Sequence, residues 1–153
     1  MAFQNEKEIG LEAERKLTDA LQQKVSSLSF KDHYGNNKSL VTDTIGSADI
    51  KTSQNTLGET VFYLNRLYLR MPHHGFIQHY GANTIRRAGN RTRKKPKSTT
   101  YGYAAHYYNL QDRDFIGKAI EQSGVLDFVM QEVTQIRTDG VTAGLIRFLE
   151  SNI

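Results

Sequence analysis

Hydrophobic and polar positions follow a helical period over the first part of the chain. Between residues 5 and 28 the apolar residues recur at steps of three and four, which places them on one helix face. They are Ile9, Ala13, Leu17, Ala20, Leu21, Val25 and Leu28. Asn5 stands where an N-cap is expected, and Glu6 and Glu8 lie where the helix dipole favours negative charge. The pattern predicts an amphipathic N-terminal helix that packs one stripe on a core.

Two later segments have the composition of β-strands. Residues 40–52 alternate imperfectly, and Gly46 predicts a bulge or bend within them. Thr60–Met71 carries apolar residues on both parities, and Pro72 ends it. Val61, Tyr63, Leu67 and Leu69 fall on one parity, and Phe62, Leu64 and Tyr68 on the other. We therefore expect this strand to be covered on both faces, by the N-terminal helix and by another element or subunit.

The pattern weakens in the middle of the chain. Residues 73–81 are compatible with a short helical turn or with a bent strand end. Gly89, Pro96 and a polar run predict a loop over residues 82–100, and residues 101–110 are strand-like in composition.

Helical spacing returns near the end of the chain. Asp112 and Asp114 are expected as N-cap and first-turn residues of a second helix. Gly124 predicts a kink or break in that helix. Asp139-Gly140 predicts its end, and residues 141–151 a short last helix.

Together these elements predict an α+β fold. It consists of an N-terminal amphipathic helix, a small antiparallel sheet, C-terminal helices flanking it and a long basic loop, which we place at residues 83–100. The length of 153 residues predicts a single domain spanning residues 1–153. The composition, 38% hydrophobic and 24% charged, is typical of a soluble globular protein. The start of the chain does not resemble a signal peptide, and no apolar run approaches the length of a membrane span.

Charge is distributed very unevenly. Residues 60–111 hold nine of the 20 Lys and Arg residues and none of the 16 Asp and Glu residues, so the modest net charge of +4 conceals a basic central region and a mildly acidic remainder. Such a region attracts polyanions or an acidic protein surface.

Enzymatic and metal chemistry find little support in the sequence. The chain has no cysteine, which excludes disulfides, thiolate metal sites and a Cys nucleophile. His73, His74, His79 and His106 lie in the basic region without carboxylates beside them, so we expect no metal site. No nucleophile elbow or Gly-rich phosphate loop occurs. We therefore expect neither a catalytic residue nor a cofactor.

Basic residues interleaved with aromatics are typical of nucleic-acid binding, since Arg and Lys neutralise phosphates while Tyr stacks on bases. The alternative is a solvated basic loop without a partner. The residues predicted to contact DNA or a partner protein are Arg86, Arg87, Arg91, Arg93, Lys94, Lys95 and Lys97. The aromatic residues predicted in the core or at a subunit interface are Phe76, Tyr80, Tyr101, Tyr103, Tyr107, Tyr108 and Phe115.

The arrangement resembles the tail-completion (neck) proteins of long-tailed bacteriophages. After the amphipathic helix, Leu40-Val41-Thr42-Asp43-Thr44-Ile45 matches the start of their first strand. Phe76-Ile77-Gln78-His79-Tyr80-Gly81 matches an aromatic segment that ends in Gly. Arg113-Asp114-Phe115-Ile116-Gly117-Lys118-Ala119 matches the run that opens a helix. The chain departs from the family in its longer, more basic loop and in having Asp114 where Pro often precedes the Phe.

The resemblance implies a structural subunit of an oligomeric ring in the virion neck, at the head–tail junction, assembled in the host cytoplasm. Such a ring joins the capsid connector to the tail around the DNA channel. It implies six subunits, with twelve as the other candidate, contacts with the neighbouring connector and tail ring proteins, DNA in the channel, and no membrane. The alternative is a free-standing nucleic-acid-binding protein that uses the basic and aromatic loop.

Overall fold

A computed structural model describes residues 3–28, 40–55, 58–94 and 96–150 of the chain. Four helices and six strands occur in these ranges. In chain order they are α1 (Glu6–Ser27), β1 (Ile45–Gln54), β2 (Thr60–Arg70), α2 (His73–Tyr80), β3 (Ala82–Arg86), β4 (Gly89–Arg93), β5 (Thr99–Tyr103), β6 (His106–Leu110), α3 (Phe115–Ser123) and α4 (Val125–Glu150). The predicted α+β class, with its N-terminal helix, antiparallel strands and C-terminal helices, is confirmed.

The chain divides into two compact units. His73–Asp114 forms one, with α2 and strands β3 to β6. The segments before and after it form the other, in which α1 packs against β1, β2, α3 and α4. The prediction of one domain over residues 1–153 stays a prediction.

Helix α1 has the predicted start and the predicted buried stripe. The side chain of Asn5 accepts the backbone N–H of Glu8 at 3.1 Å, and the Glu8 carboxylate accepts the N–H of Gln4 at 2.9 Å, which satisfies donors at the free helix end. Residues of the predicted stripe form much of the core together with residues of α3 and the start of α4. The core consists of Ile9, Ala13, Leu17, Leu21, Val25, Leu40, Phe115, Ile116, Ala119 and Val125.

Polar side chains of α1 also bind the strands. The hydroxyl of Thr18 accepts the N–H of Gly46 at 2.9 Å, and the Glu14 carboxylate accepts the N–H of Ala48 at 3.1 Å. Close packing accompanies these bonds, because a Cβ on Gly46 would lie 2.9 Å from the Cβ of Leu17. The helix therefore covers the β1–β2 hairpin through both apolar and hydrogen-bonded contacts.

A β-bulge in the hairpin changes how the residues of β2 divide between its two faces. Coverage of one face by α1 is confirmed, and coverage of the other face by another subunit stays a prediction. Asp49 pairs with Arg66 while the next residue, Ile50, pairs with Leu64, so Asn65 is an extra residue in β2. An extra residue reverses the side-chain alternation beyond it. Facing α1 are Phe62, Leu64, Leu67 and Leu69, whereas Val61, Tyr63, Arg66, Tyr68 and Arg70 lie on the other face. The bulge predicted at Gly46 is thus found at another position.

Several boundaries differ from those expected. Residues 73–81, left undecided by the sequence, contain helix α2. The break at Gly124 is confirmed, and this residue has a φ of 59°. The break predicted at Asp139-Gly140 is wrong, since α4 continues to Glu150. Asp114 directly precedes Phe115, at the N-cap position of α3, whereas Asp112 lies further upstream, and neither lies in the first turn.

The predicted loop over residues 82–100 is also wrong for most of its length. In it lie β3 and β4, which pair antiparallel with β6 and β5 respectively. Their Thr and Ile residues favour strands, but the Arg and Asn residues between them concealed the pattern. Pairing between the strands satisfies their backbone N–H and C=O groups, so the segment forms ladders although its side chains are hydrophilic.

Candidate interaction surfaces

Strands β3 to β6 form a hairpin that we call the β-arm, residues 82–110. Its first ladder joins Ala82–Arg86 to His106–Leu110, and its second joins Gly89–Arg93 to Thr99–Tyr103. The two ladders are separated by residues 87–88 and 104–105, and beyond the second ladder lies a tip whose described residues are 94 and 96–98. The predicted contact residues that the structure describes therefore lie on a two-stranded ribbon and at its tip.

The start of the β-arm depends on a glycine with a left-handed backbone conformation and on close backbone packing around it. Gly81 has a φ of 73°, and a Cβ there would lie 2.5 Å from the carbonyl oxygen of Leu110. The carbonyl of His79 accepts the N–H groups of Arg113 and Asp114 at 3.2 and 3.4 Å. These contacts hold the two chain ends of the β-arm beside the end of α2.

The predicted basic residues are all exposed where the structure describes them. Arg86 ends β3, Arg87 follows it, Arg91 and Arg93 lie on β4, and Lys94 and Lys97 lie at the tip. Lys95 lies outside the described residues. Within the described ranges none of these six cations forms an ion pair with a carboxylate. The β-arm therefore presents a concentrated positive charge.

The predicted aromatic residues separate into different environments. Phe115 is in the core, and Phe76 and Tyr103 are half-buried. Tyr80, Tyr101, Tyr107 and Tyr108 are exposed. Except for Phe115, none of this set is buried in the core, so a contact with a partner remains the prediction for the four exposed tyrosines.

Tyr103 is held in a small cluster on the β-arm. The guanidinium of Arg86 lies 5.4 Å from the centre of its ring, and the His106 ring lies 6.3 Å away. A Cβ on Gly89 would lie 3.0 Å from the Tyr103 hydroxyl, so the ring covers this glycine. Arg86 is thereby positioned by an aromatic ring.

The four histidines are dispersed over this unit. His79 is buried, and its Nε2 lies 4.0 Å from a carboxylate oxygen of Asp114. Across the described ranges, no group of three or more His, Cys, Asp or Glu side chains is arranged to hold a metal ion. None of the helices described is long and apolar enough to cross a membrane.

A second surface, which the sequence did not reveal, lies on α4. Seven of its large apolar side chains are 51–70% exposed. They are Leu126, Met130, Val141, Leu145, Ile146, Phe148 and Leu149. Exposed apolar patches of more than a few hundred Å² mark interaction sites on soluble proteins. The sequence pattern showed a helix here, but not that so little of the helix is covered.

This apolar surface has two parts within the same unit. Toward the start of α4, a groove runs between β2 and α4. We call it the β2–α4 groove, and its apolar lining comprises Leu64, Leu67, Leu126, Val129, Met130 and Val133. Further along, every residue from 138 to 150 is exposed. Val141, Leu145, Phe148 and Leu149 share one face of this last part, which we call the α4 end.

Comparison with known proteins identified no matching family model, curated protein or solved structure.

Proposed function

We propose that this protein is a structural subunit of an oligomeric ring at the head–tail junction of a long-tailed bacteriophage, where it joins the capsid connector to the tail around the DNA channel. The observation that carries the proposal is the exposed apolar surface of α4. The resemblance of the sequence to tail-completion proteins supplies the location and a stoichiometry of six, with twelve as the other candidate.

A second copy of the chain is the occupant that fits this surface. A monomer would leave seven large apolar side chains of one helix in water, at a cost of about 25 cal/mol for each Å². The α4 end extends roughly 20 Å, since thirteen helical residues rise about 1.5 Å each. The subunit thus carries an apolar projection and an apolar groove of similar character, and a groove of this kind accepts the apolar face of a helix.

The two parts are different surfaces of one chain, which determines the type of assembly. If the α4 end of one subunit occupies the β2–α4 groove of the next, each subunit makes two unlike contacts. Such head-to-tail contacts generate a closed ring when the rotation between subunits closes, and a filament when it does not. A ring is the form that encloses a channel.

The test uses one substitution in each surface. Leu145→Glu places a charge on the α4 end, and Met130→Glu places one in the groove. Ala143→Glu introduces the same charge on the opposite face of the α4 end and is the matched control. Native mass spectrometry and light scattering should show closed rings for the wild type and the control, and monomers for the other two variants.

Mixing the two monomeric variants separates head-to-tail from symmetric pairing. Leu145→Glu keeps an intact groove and Met130→Glu keeps an intact α4 end, so an equal mixture should form dimers with one contact. If the mixture stays monomeric while both variants remain folded, the head-to-tail arrangement is wrong. A wild type that is monomeric at high concentration and absent from virions would overturn the ring itself.

The location is tested in the phage that encodes the protein. Supplying only the Leu145→Glu variant should yield DNA-filled capsids and separate tails in electron micrographs, because no ring is formed to join them. Normal particles under these conditions would contradict a role in joining.

The second candidate function is that of a free-standing nucleic-acid-binding protein. The exposed, uncompensated cations of the β-arm favour it, since sequence-independent binding depends chiefly on phosphate neutralisation. Tight, sequence-selective binding of a short duplex by a monomeric wild type would favour this candidate over the ring.

A further inference from the structure

We call the β4–β5 ladder, next to the tip, the outer ladder and the β3–β6 ladder the inner ladder. The cations and aromatic rings of the outer ladder lie on one face of the β-arm. Arg91 is directly opposite Tyr101, and Arg93 is directly opposite Thr99. Residues paired in this way point to the same side of an antiparallel ladder, and alternate residues share that side. Arg91, Arg93 and Tyr101 therefore lie together on one side of the ribbon.

The junction with the inner ladder extends this face. Tyr103 follows Tyr101 by two residues and so lies on the same side. The guanidinium of Arg86 lies over its ring, at 5.4 Å from the ring centre. Three guanidiniums and two tyrosines thus form one surface, which we call the Arg–Tyr face: Arg86, Arg91, Arg93, Tyr101 and Tyr103.

The opposite side of the outer ladder carries no charge. It presents Asn90 and Thr92 from β4, and Thr100 and Gly102 from β5. The hydroxyls of Thr92 and Thr100 lie 2.9 Å apart, within hydrogen-bonding distance. The two sides of the outer ladder therefore differ: one carries the positive charges and the other is neutral.

We infer that the Arg–Tyr face binds the phosphodiester backbone of nucleic acid. Guanidiniums are always charged and donate paired hydrogen bonds to phosphate oxygens. Tyr101 is 47% exposed between them, which leaves its ring available to pack on a sugar or base. A two-stranded ribbon also has the width that the major groove of a duplex admits.

This inference identifies nucleic acid as the partner of the β-arm. It rests on the proposed function only in placing that nucleic acid in the channel of the ring. The β-arm can bind whether or not the subunits form rings. Binding and assembly are therefore measured separately on the same proteins, so that failure of one is distinguishable from failure of the other.

The experiment compares two double variants that each remove two positive charges. Arg91→Gln with Arg93→Gln removes charges from the Arg–Tyr face, and Lys94→Gln with Lys97→Gln removes them from the tip. Fluorescence anisotropy with a labelled duplex of about 20 base pairs, and with one of its strands alone, gives affinity as a function of salt. Circular dichroism verifies that both double variants are folded.

We call Arg91→Gln with Arg93→Gln the face variant and Lys94→Gln with Lys97→Gln the tip variant. The plot of log K against log salt has a negative slope, and we expect the face variant to reduce its magnitude by about 2, since each duplex phosphate contact contributes roughly 0.9. The tip variant should change the slope less. Arg91→Lys with Arg93→Lys keeps the charge but loses the paired hydrogen bonds, so its affinity should lie between those of the wild type and the face variant. Preference for the duplex supports groove or backbone contact, and preference for the single strand supports stacking on Tyr101.

Equal losses in the face and tip variants would overturn the inference, because they would indicate diffuse charge and not a defined face. Poly-glutamate that binds as tightly as DNA would overturn it in favour of an acidic protein partner. Wild-type rings that fail to bind DNA at low salt would overturn it and leave the proposed ring intact. Conversely, a monomeric Leu145→Glu variant that retains the wild-type slope per subunit would support it independently of assembly.

Discussion

The Glu6 carboxylate and the Arg137 guanidinium join the first and last helices of the described chain. The Nε of Arg137 donates to one carboxylate oxygen at 2.8 Å, and a second guanidinium nitrogen donates to the other at 3.1 Å. The carboxylate also accepts the N–H of Leu64 at 2.7 Å. Glu6 is 3% exposed, whereas the Arg137 side chain is 58% exposed. One buried carboxylate therefore connects α1, β2 and α4.

Removing the cation should destabilise the protein. In Arg137→Met the carboxylate stays buried with only the Leu64 hydrogen bond, and a buried charge without its partner is costly. Because Arg137 is largely exposed, solvent screens the pair, so we expect a loss of about 1–2 kcal/mol. Urea unfolding of the Leu145→Glu background measures it without a contribution from assembly. Arg147→Met, on the exposed α4 end, is the control and should be close to neutral.

The same pair predicts a dependence of stability on pH. Burial by itself raises the pKa of Glu6, but hydrogen bonds from Arg137 and Leu64 and the charge of Arg137 together lower that pKa below its ordinary value. A carboxyl whose pKa is lower in the folded state contributes stability above its unfolded pKa, about 4.3. That contribution is lost as the pH falls through the folded-state pKa.

We therefore expect the stability advantage of the wild type over Glu6→Gln to be full near neutral pH and to shrink below about pH 4. Unfolding free energies measured across this window test it. In Arg137→Met the cation that favours the charged form of Glu6 is gone. The difference in unfolding free energy between the wild type and this variant should therefore be smaller in acid, where Glu6 is protonated, than at neutral pH. An advantage that does not change with pH would show that the carboxylate is not the stabilising form.

Gly81 should tolerate substitution poorly for two reasons. Its φ of 73° is in the left-handed region, which costs a residue with a Cβ about 1–2 kcal/mol. A Cβ would also lie 2.5 Å from the Leu110 carbonyl oxygen. At Gly58, with a φ of 77°, a substitution would meet only the backbone strain, since no described atom lies within 4 Å of a Cβ there.

Gly81→Ala should consequently be more destabilising than Gly58→Ala in thermal unfolding. Hydrogen exchange locates the effect. If the two compact units unfold separately, protection should be lost mainly in residues 73–114; loss over the whole chain would support a single cooperative domain. Equal effects of the two substitutions would contradict the close approach of Gly81 to Leu110.

Trypsin should distinguish the tip of the β-arm from its ladder. Lys94 and Lys97 lie outside the strands, whereas Arg91 and Arg93 are paired with β5. Proteases cut segments that open easily, and paired strands resist opening. Mass spectrometry of brief digests of the isolated subunit should find cleavage first after the tip lysines. Early cleavage after Arg91 would show that the outer ladder is open in solution.

The sequence by itself determined the features that depend on local chemistry. The buried stripe of α1 follows from its apolar spacing, and its start follows from Asn5 and Glu8. The end of α3 follows from Gly124, which adopts the left-handed conformation that glycine permits. The uneven charge distribution is a property of composition. Each of these can be read from the order of residues within one continuous segment, without knowing what that segment packs against.

The tertiary structure decided the rest. The bulge at Asn65 changes which side chains of β2 face α1, and it is defined only by the register with β1. The basic segment becomes a ladder because the two strands that follow it, β5 and β6, pair with it, although its own sequence suggested a loop. The exposure of the α4 end depends on how far the core of the same unit extends along the helix. Register, pairing and coverage are relations between separate segments of the chain, and the periodicity within one segment does not determine them.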